Sequence, residues 1–167
     1  LKSAPYVLGH TAAITQARSL SVTSLVGVGK DNVLNRTLCQ LIAAAEKQMT
    51  ICTPYFNFPL AITREVNRAL ARGVKVTIII GDKTANDFYS PPEQAFKAIG
   101  CLPYLYEMNL RRFAKTHQAD IVSGTLEIHL WKEGDNTYHL KGLWVDDLYT
   151  LVTGNNLNPR AFRLDLE

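Results

Sequence analysis

The sequence predicts a layered α/β domain, and three observations carry that expectation. Apolar positions recur at helical spacing through Leu34, Leu38, Leu41, Ile42 and Ala45, and again through Val66, Ala69 and Leu70. Short apolar runs of strand length, 49–53 and 74–80, follow those stripes and are rich in β-branched residues. Strand, helix and strand in alternation imply parallel pairing through right-handed crossovers, hence a mixed, mostly parallel sheet flanked by helices.

Residues 1–19 show no clear period and are expected to be a lead-in segment, with the domain itself over 20–167. Residues 20–26 read as a strand, and Gly27-Val28-Gly29 turns the chain into a helix over 32–47. After the strand at 49–53, Pro59 suits the first turn of the next helix and Gly73 the position just past its end. Residues 74–80 then form an almost unbroken β-branched strand. Ser90-Pro91-Pro92-Glu93 has the form of a capping box and predicts a short helix to Ile99, with a second helix from Pro103 to about Lys115. Residues 116–125 read as a loop. Three more strands, 126–130, 138–145 and 149–152, can add antiparallel edges, with Asp146-Asp147 a tight turn between the last two. No repeat or low-complexity tract divides the domain.

A chain of 167 residues, 47% hydrophobic and 20% charged, is one globular domain's worth. A balance of 18 Lys and Arg against 15 Asp and Glu is too even to announce a nucleic-acid binder, though it suits an anionic surface or substrate. Cys39, Cys52 and Cys101 are widely spaced and odd in number, and read as reduced core thiols. No metal cluster or cofactor motif is present, and Gly27-Val28-Gly29-Lys30 lacks P-loop spacing. No apolar run reaches the roughly 20 residues of a membrane span and no signal peptide opens the chain, so a cytoplasmic, at most peripheral, protein is expected. The first residue is Leu1, not Met, which points to a piece of something longer.

The residues that carry chemistry stand in Tyr138-His139-Leu140-Lys141-Gly142-Leu143-Trp144-Val145-Asp146. In a strand, side chains two apart share a face, so His139 and Lys141 are expected to reach one bound phosphate: a nucleophile and a cation to steady the charge it generates. Leu143 and Val145 continue that face and Trp144 lies on the other, as in a central, covered strand. Asp146 is an odd number of residues from His139 and reads as a strand-end anchor supporting the pair. Downstream, Asn155, Asn156 and Asn158 crowd a turn whose amide donors can hold phosphate oxygens.

This stretch resembles the second signature of the phospholipase D superfamily, in which His-x-Lys-x4-Asp is followed by a Gly-Ser/Thr-x-Asn turn and a later Glu. Thr153-Gly154-Asn155-Asn156 falls on the turn and Glu167 on the Glu. The match implies that Asn156 helps bind phosphate and that Glu167 hydrogen-bonds the imidazole and fixes its tautomer. Thr153 and Gly154 depart from the family's Gly and Ser/Thr, so the hydroxyl contact to phosphate is missing or otherwise supplied. Thr53-Pro54-Tyr55-Phe56 and 64–80 are similar to the strand-loop-helix-strand of lipid-synthesising members, where Tyr55 and Phe56 line the pocket mouth or simply pack. Residues 81–88, 102–107, 109–113 and 154–161 make the chain similar to the phospholipase D-type bacterial phosphatidylserine synthases over about 20–167.

That resemblance implies transfer of a phosphatidyl group from CDP-diacylglycerol to L-serine, releasing CMP through a phosphohistidine, with no cofactor, no metal and no nucleic-acid partner. Departing CMP needs a proton donor, and a second copy of the motif would supply another His. His10, His117 and His129 lack a Lys two residues on, so none is that copy; each reads as a surface or structural histidine. The resemblance makes the chain the C-terminal half of a two-motif enzyme, the alternative being one motif per subunit of a homodimer. Lys83 and Asp87 occupy the loop where open α/β sheets bind ligands and are candidates to hold nucleotide or serine. Arg111, Arg112 and Lys115 share a helix with Leu105, Met108 and Phe113, a layout suited to an anionic membrane or to simple half-burial. Other readings are a cardiolipin synthase, a homodimeric nuclease, or a non-catalytic membrane-docking half-domain.

Overall fold

The computed structural model describes residues 21–95 and 97–166. In chain order its elements are α1 (Val33–Ala44), β1 (Gln48–Thr53), α2 (Leu60–Ala71), β2 (Lys75–Gly81), α3 (Leu102–Thr116), α4 (Gln118–Ser123), β3 (Leu126–Trp131), β4 (Gly142–Val145) and β5 (Tyr149–Val152). The strands form one sheet ordered β3-β2-β1-β4-β5. β1, β2 and β3 run parallel, whereas β4 is antiparallel to β1 and β5 antiparallel to β4. The chain is thus the expected mixed α/β sheet flanked by helices. Because β4 is reversed, its first residues lie at the same end of the sheet as the last residues of β1 and β2.

Register aligns the apolar side chains of neighbouring strands on one face. Met49 pairs with Val76 and Val145, and Ile51 with Ile78 and Leu143. All six are buried, together with Leu38 and Ile42 of α1 and Ile62 and Val66 of α2. Each such side chain contributes roughly 1.5–3 kcal/mol by leaving water. The opposite face is less covered: Thr50, Thr77, Ile79 and Trp144 are half-buried and His129 is exposed.

Local chemistry explains the helix boundaries. The Asn32 side chain accepts the Asn35 N–H at 2.7 Å and so caps α1. Pro59 precedes α2 at its N-cap, and Gly73, with φ of 82°, lets the chain leave that helix. The β4–β5 hairpin turns on Asp146 and Asp147, both at positive φ (53° and 56°), in a turn closed by Leu148 N–H to Val145 O at 2.9 Å, a backbone that Asp tolerates best after Gly and Asn.

Five expectations are corrected. Residues 21–26 pair with no strand; Val28 alone makes an isolated bridge, to Leu166. Ser90 caps no helix: the chain closes a single turn over 91–94, with Gln94 N–H donating to Pro91 O at 3.0 Å, and among the described residues a 3-10 turn, Ala98–Cys101, precedes α3. The loop at 116–125 contains α4, closed by Gly124 in the left-handed region. β4 begins at Gly142 rather than at 138, because the Tyr138 N–H is taken by Ala85 O at 3.0 Å instead of a ladder partner. Cys101 is exposed while Cys52 is buried, so not all three thiols are core thiols. The lead-in at 1–19 and Glu167 lie outside the described residues. No helix among the described residues is long and apolar enough to cross a membrane.

Candidate active site

His139 and Lys141 sit on the extended segment immediately before β4, outside the ladder. Their side chains meet: Lys141 Nζ lies 2.7 Å from His139 Nδ1 and donates to the His139 carbonyl at 3.0 Å. The lysine is buried, with 9% of its surface exposed, whereas the imidazole opens to solvent. Tyr138 anchors the segment from behind, its ring packed on Trp131 at 5.4 Å and its hydroxyl facing Cys52. Burial pushes the Tyr138 phenol well above its ordinary range, and the neighbouring thiol adds to the effect.

The other nitrogen of the ring, Nε2, lies 3.1 Å from Asp87 Oδ2. Asp87 belongs to the loop that follows β2. Sequence reading marked that loop for substrate but gave no sign that its aspartate meets the imidazole. Only a fold that brings residues 52 apart together (87 and 139) reveals the contact.

The asparagine turn begins beside Lys141, whose carbonyl accepts the Thr153 N–H at 3.3 Å. Thr53, the last residue of β1, donates its hydroxyl to Asn156 O at 2.8 Å. The Asn155 side chain accepts the Leu157 N–H at 2.9 Å and holds that residue at φ of 50°, a conformation costing a leucine roughly 1–2 kcal/mol. Side-chain atoms Asn155 Nδ2 and Asn156 Oδ1 are buried without a hydrogen-bond partner. Buried amide atoms left unpaired cost free energy, and a polar ligand at this turn can recover it.

Lys83 and Tyr55 line a neighbouring cleft of about 50 Å³ with Tyr106, Glu107 and Asn86, and His139 is not among its walls. The Tyr55 ring stacks on Tyr106 at 4.3 Å, and its hydroxyl accepts from Asn158 Nδ2 at 3.4 Å. Lys83 pairs with Glu107 at 2.8 Å and lies 5.0 Å from the Tyr104 ring centroid. The Glu107 carboxyl is held below its ordinary range by Lys83 first and Arg111 second. Tyr106 and Glu107 fall within the run 102–107 that carries the family resemblance, but their residue types and spacing did not mark them as site residues.

Asp146 points away from this cluster, toward the start of β1. Its Oδ1 accepts the N–H groups of Lys47 and Gln48 at 2.9 and 2.8 Å, and its Oδ2 that of Glu46 at 2.7 Å. Partial burial raises its carboxyl, but the donors on Gln48, Glu46 and Lys47 outweigh that and set it below the usual aspartate range. His117 bridges Asp120 and Asn67 at 2.8 and 3.1 Å, and His129 rests near Glu127 at 3.4 Å. Both are held by structural contacts away from the cluster.

The family model described as "Cardiolipin synthase, PLD-like domain" matches residues 38–167. The chain is 60% identical, over 148 residues, to a CDP-diacylglycerol–serine O-phosphatidyltransferase of Escherichia coli, covering 89% of this chain and 33% of that protein. It is 55% identical, over 157 residues, to the Haemophilus influenzae enzyme of the same name, covering 93% and 34%. A crystal structure of phosphatidylserine synthase from Haemophilus influenzae superimposes with a TM-score of 0.83 at 57% identity, over 85% of this chain and 32% of that one. The chain therefore spans about one third of the length of these relatives.

Proposed function

Since the chain belongs to the phospholipase D-like domain family, we propose that this protein moves a phosphatidyl group from CDP-diacylglycerol to the hydroxyl of L-serine, releasing CMP. The observation that carries the reading is the 2.7 Å approach of the Lys141 ammonium to the His139 imidazole at the end of the sheet where both strand ends and the asparagine turn gather.

In the first half-reaction an imidazole nitrogen attacks phosphorus and the bond from phosphorus to the CMP oxygen breaks, with CMP leaving on that electron pair and taking up a proton. In the second, the serine hydroxyl attacks, the phosphorus–nitrogen bond breaks, and the hydroxyl proton departs. Splitting one displacement into two is what a histidine nucleophile contributes. Lys141 faces the non-bridging oxygens and stabilises their charge, and the Asn156 amide adds a polar contact. The proton for CMP comes from a second histidine, on a second copy of the motif in the part of the protein that the relatives possess beyond this span. A homodimer would meet the same need. His139 is one member of that pair, as attacking base or as proton donor.

The relatives' names support CDP-diacylglycerol and serine as substrates. Attachment is proposed to be peripheral, at the cytoplasmic face of an anionic membrane. Tyr104, Leu105 and Met108 of α3 are exposed near Arg111, Arg112 and Lys115, giving that helix an apolar and basic outer face. The test offers labelled CDP-diacylglycerol to the full-length protein. CMP release with phosphatidylserine formation, requiring serine and not replaced by phosphatidylglycerol, supports the proposal. Equal turnover with phosphatidylglycerol, or salt-sensitive DNA cleavage, would overturn it.

A further inference from the structure

We propose that the cleft between the loop after β2 and α3 is the acceptor subsite, built for a free α-amino acid: Lys83 takes the α-carboxylate of serine, and Glu107 with Asp82 takes its α-ammonium. The inference rests on the functional reading above and names the residues that choose the acceptor.

The cleft adjoins the phosphate site from two sides. Asn86 forms one wall, and the next residue, Asp87, stands 3.1 Å from His139 Nε2. Tyr55 forms another, and its hydroxyl meets Asn158 of the asparagine turn at 3.4 Å. A molecule held here by one end can present its other end to a phosphate on His139. Size limits what that molecule is. A volume of about 50 Å³ holds roughly three to five waters, which admits a small amino acid and falls far short of a nucleoside. The rings of Tyr55 and Tyr106 are turned on each other, 4.3 Å apart and 8° from parallel, so no base fits between them.

The charges of the cleft suit a zwitterion. Lys83 Nζ stands 2.8 Å from Glu107 Oε2, and Asp82 is a third charged wall. The Glu107 carboxyl is set below its usual range by Lys83 first and Arg111 second, and that of Asp82 by the Thr84 N–H first, so both are ionised at neutral pH. An ammonium beside carboxylates is the complement of the two charges that an amino acid carries at its α-carbon. Laid antiparallel on the pair, serine meets an opposite charge at each end. An acceptor that lacks either charge leaves one of the protein's unmatched, which is how such a site discriminates. Opening the pair costs little, because Lys83 and Glu107 keep 31% and 27% of their side chains exposed. Arg111 Nη2, at 2.7 Å from Glu107 Oε1, holds the carboxylate by the oxygen that Lys83 does not use. Asp82 uses only Oδ1 on its own loop, at 2.8 and 2.7 Å from the Thr84 N–H and hydroxyl.

The experiment uses full-length protein, its Lys83→Met, Lys83→Arg and Glu107→Gln variants, and three acceptors: L-serine, L-serinamide without the carboxylate, and 3-hydroxypropionate without the ammonium. Lys83→Met is expected to raise the serine KM roughly 10–100-fold, the loss of a hydrogen bond between charged groups, with KM for CDP-diacylglycerol within about twofold. It should also erase the preference for serine over serinamide while keeping that over 3-hydroxypropionate. Glu107→Gln should do the reverse, and Lys83→Arg, which keeps the charge, should recover part of the serine KM. An unchanged serine KM in Lys83→Met overturns the proposal, as does a rise confined to CDP-diacylglycerol, which assigns the cleft to the nucleotide. Equal losses with all three acceptors also overturn it, by assigning the pair to the fold. Wild-type protein that neither exchanges labelled CMP into CDP-diacylglycerol nor forms phosphatidylserine refutes the functional reading itself, and the inference with it.

Discussion

Replacing Asp146 separates support from chemistry. In Asp146→Ala the three N–H groups of Glu46, Lys47 and Gln48 lose their acceptor. A hydrogen bond to an ionised partner is worth about 1.5–3 kcal/mol when shielded. These are solvent-exposed and water replaces much of each, so roughly 0.5–1 kcal/mol per bond is expected, near the value of ordinary hydrogen bonds. Alanine at φ of 53° adds about 1 kcal/mol of backbone strain. The total, roughly 2.5–4 kcal/mol, should lower the melting temperature by about 2–4 °C per kcal/mol in a domain of this size. Asp146→Asn keeps an acceptor oxygen and tolerates the left-handed backbone, so it should cost about half as much. Because the folded carboxyl lies below its ordinary range, its contribution is fully present above the unfolded value near ~3.9 and is lost as pH falls through the lowered folded value. The gap between wild type and variant should therefore narrow below about pH 4, leaving the backbone-strain part. Thermal melts between neutral and acid pH, with amide exchange at residues 46–48, measure this. An Asp146→Ala protein as stable as wild type at neutral pH, with those amides still protected, would refute the reasoning.

Other outcomes follow from the same geometry. Gly142→Ala puts a Cβ at 2.7 Å from the Trp144 ring and 2.8 Å from Leu151 O, and should destabilise by about 1–3 kcal/mol in a urea titration. Leu143→Ala empties a fully buried site beside Ile51 and should cost about 2–5 kcal/mol by the same measurement. Lys83→Met removes a partly exposed ion pair and should leave the urea midpoint almost unchanged, while raising KM for one substrate in steady-state kinetics. The lowered Glu107 carboxyl makes that small contribution vanish as pH falls through its folded value, below the ordinary glutamate range.

The parts of the fold legible in the sequence are those where one face of an element repeats its chemistry. The stripe Leu34, Leu38 and Ile42 and the run 74–80 announce α1 and β2 because burial on a single face leaves that periodicity. Residues 21–26 are just as β-prone, yet strand formation depends on a neighbouring edge, which the chain alone does not display. α4 is six residues long, too short for a helical period to register. At the site, the short-range pair His139 and Lys141 and the anchoring geometry of Asp146 follow from local spacing. Asp87, Glu107 and Tyr106 arrive from separate elements, and their contacts exist only once β1, β2 and α3 are packed.

The measurement closest to the core of the account is phosphatidylserine formation by full-length His139→Asn protein, with melting temperature recorded alongside. Loss of turnover by at least about 10²–10⁴-fold at an unchanged melting temperature is predicted, since an amide can neither carry the phosphatidyl group nor pass on a proton. Turnover at the wild-type rate in that variant would contradict the assignment of this imidazole and its lysine to the reacting phosphate.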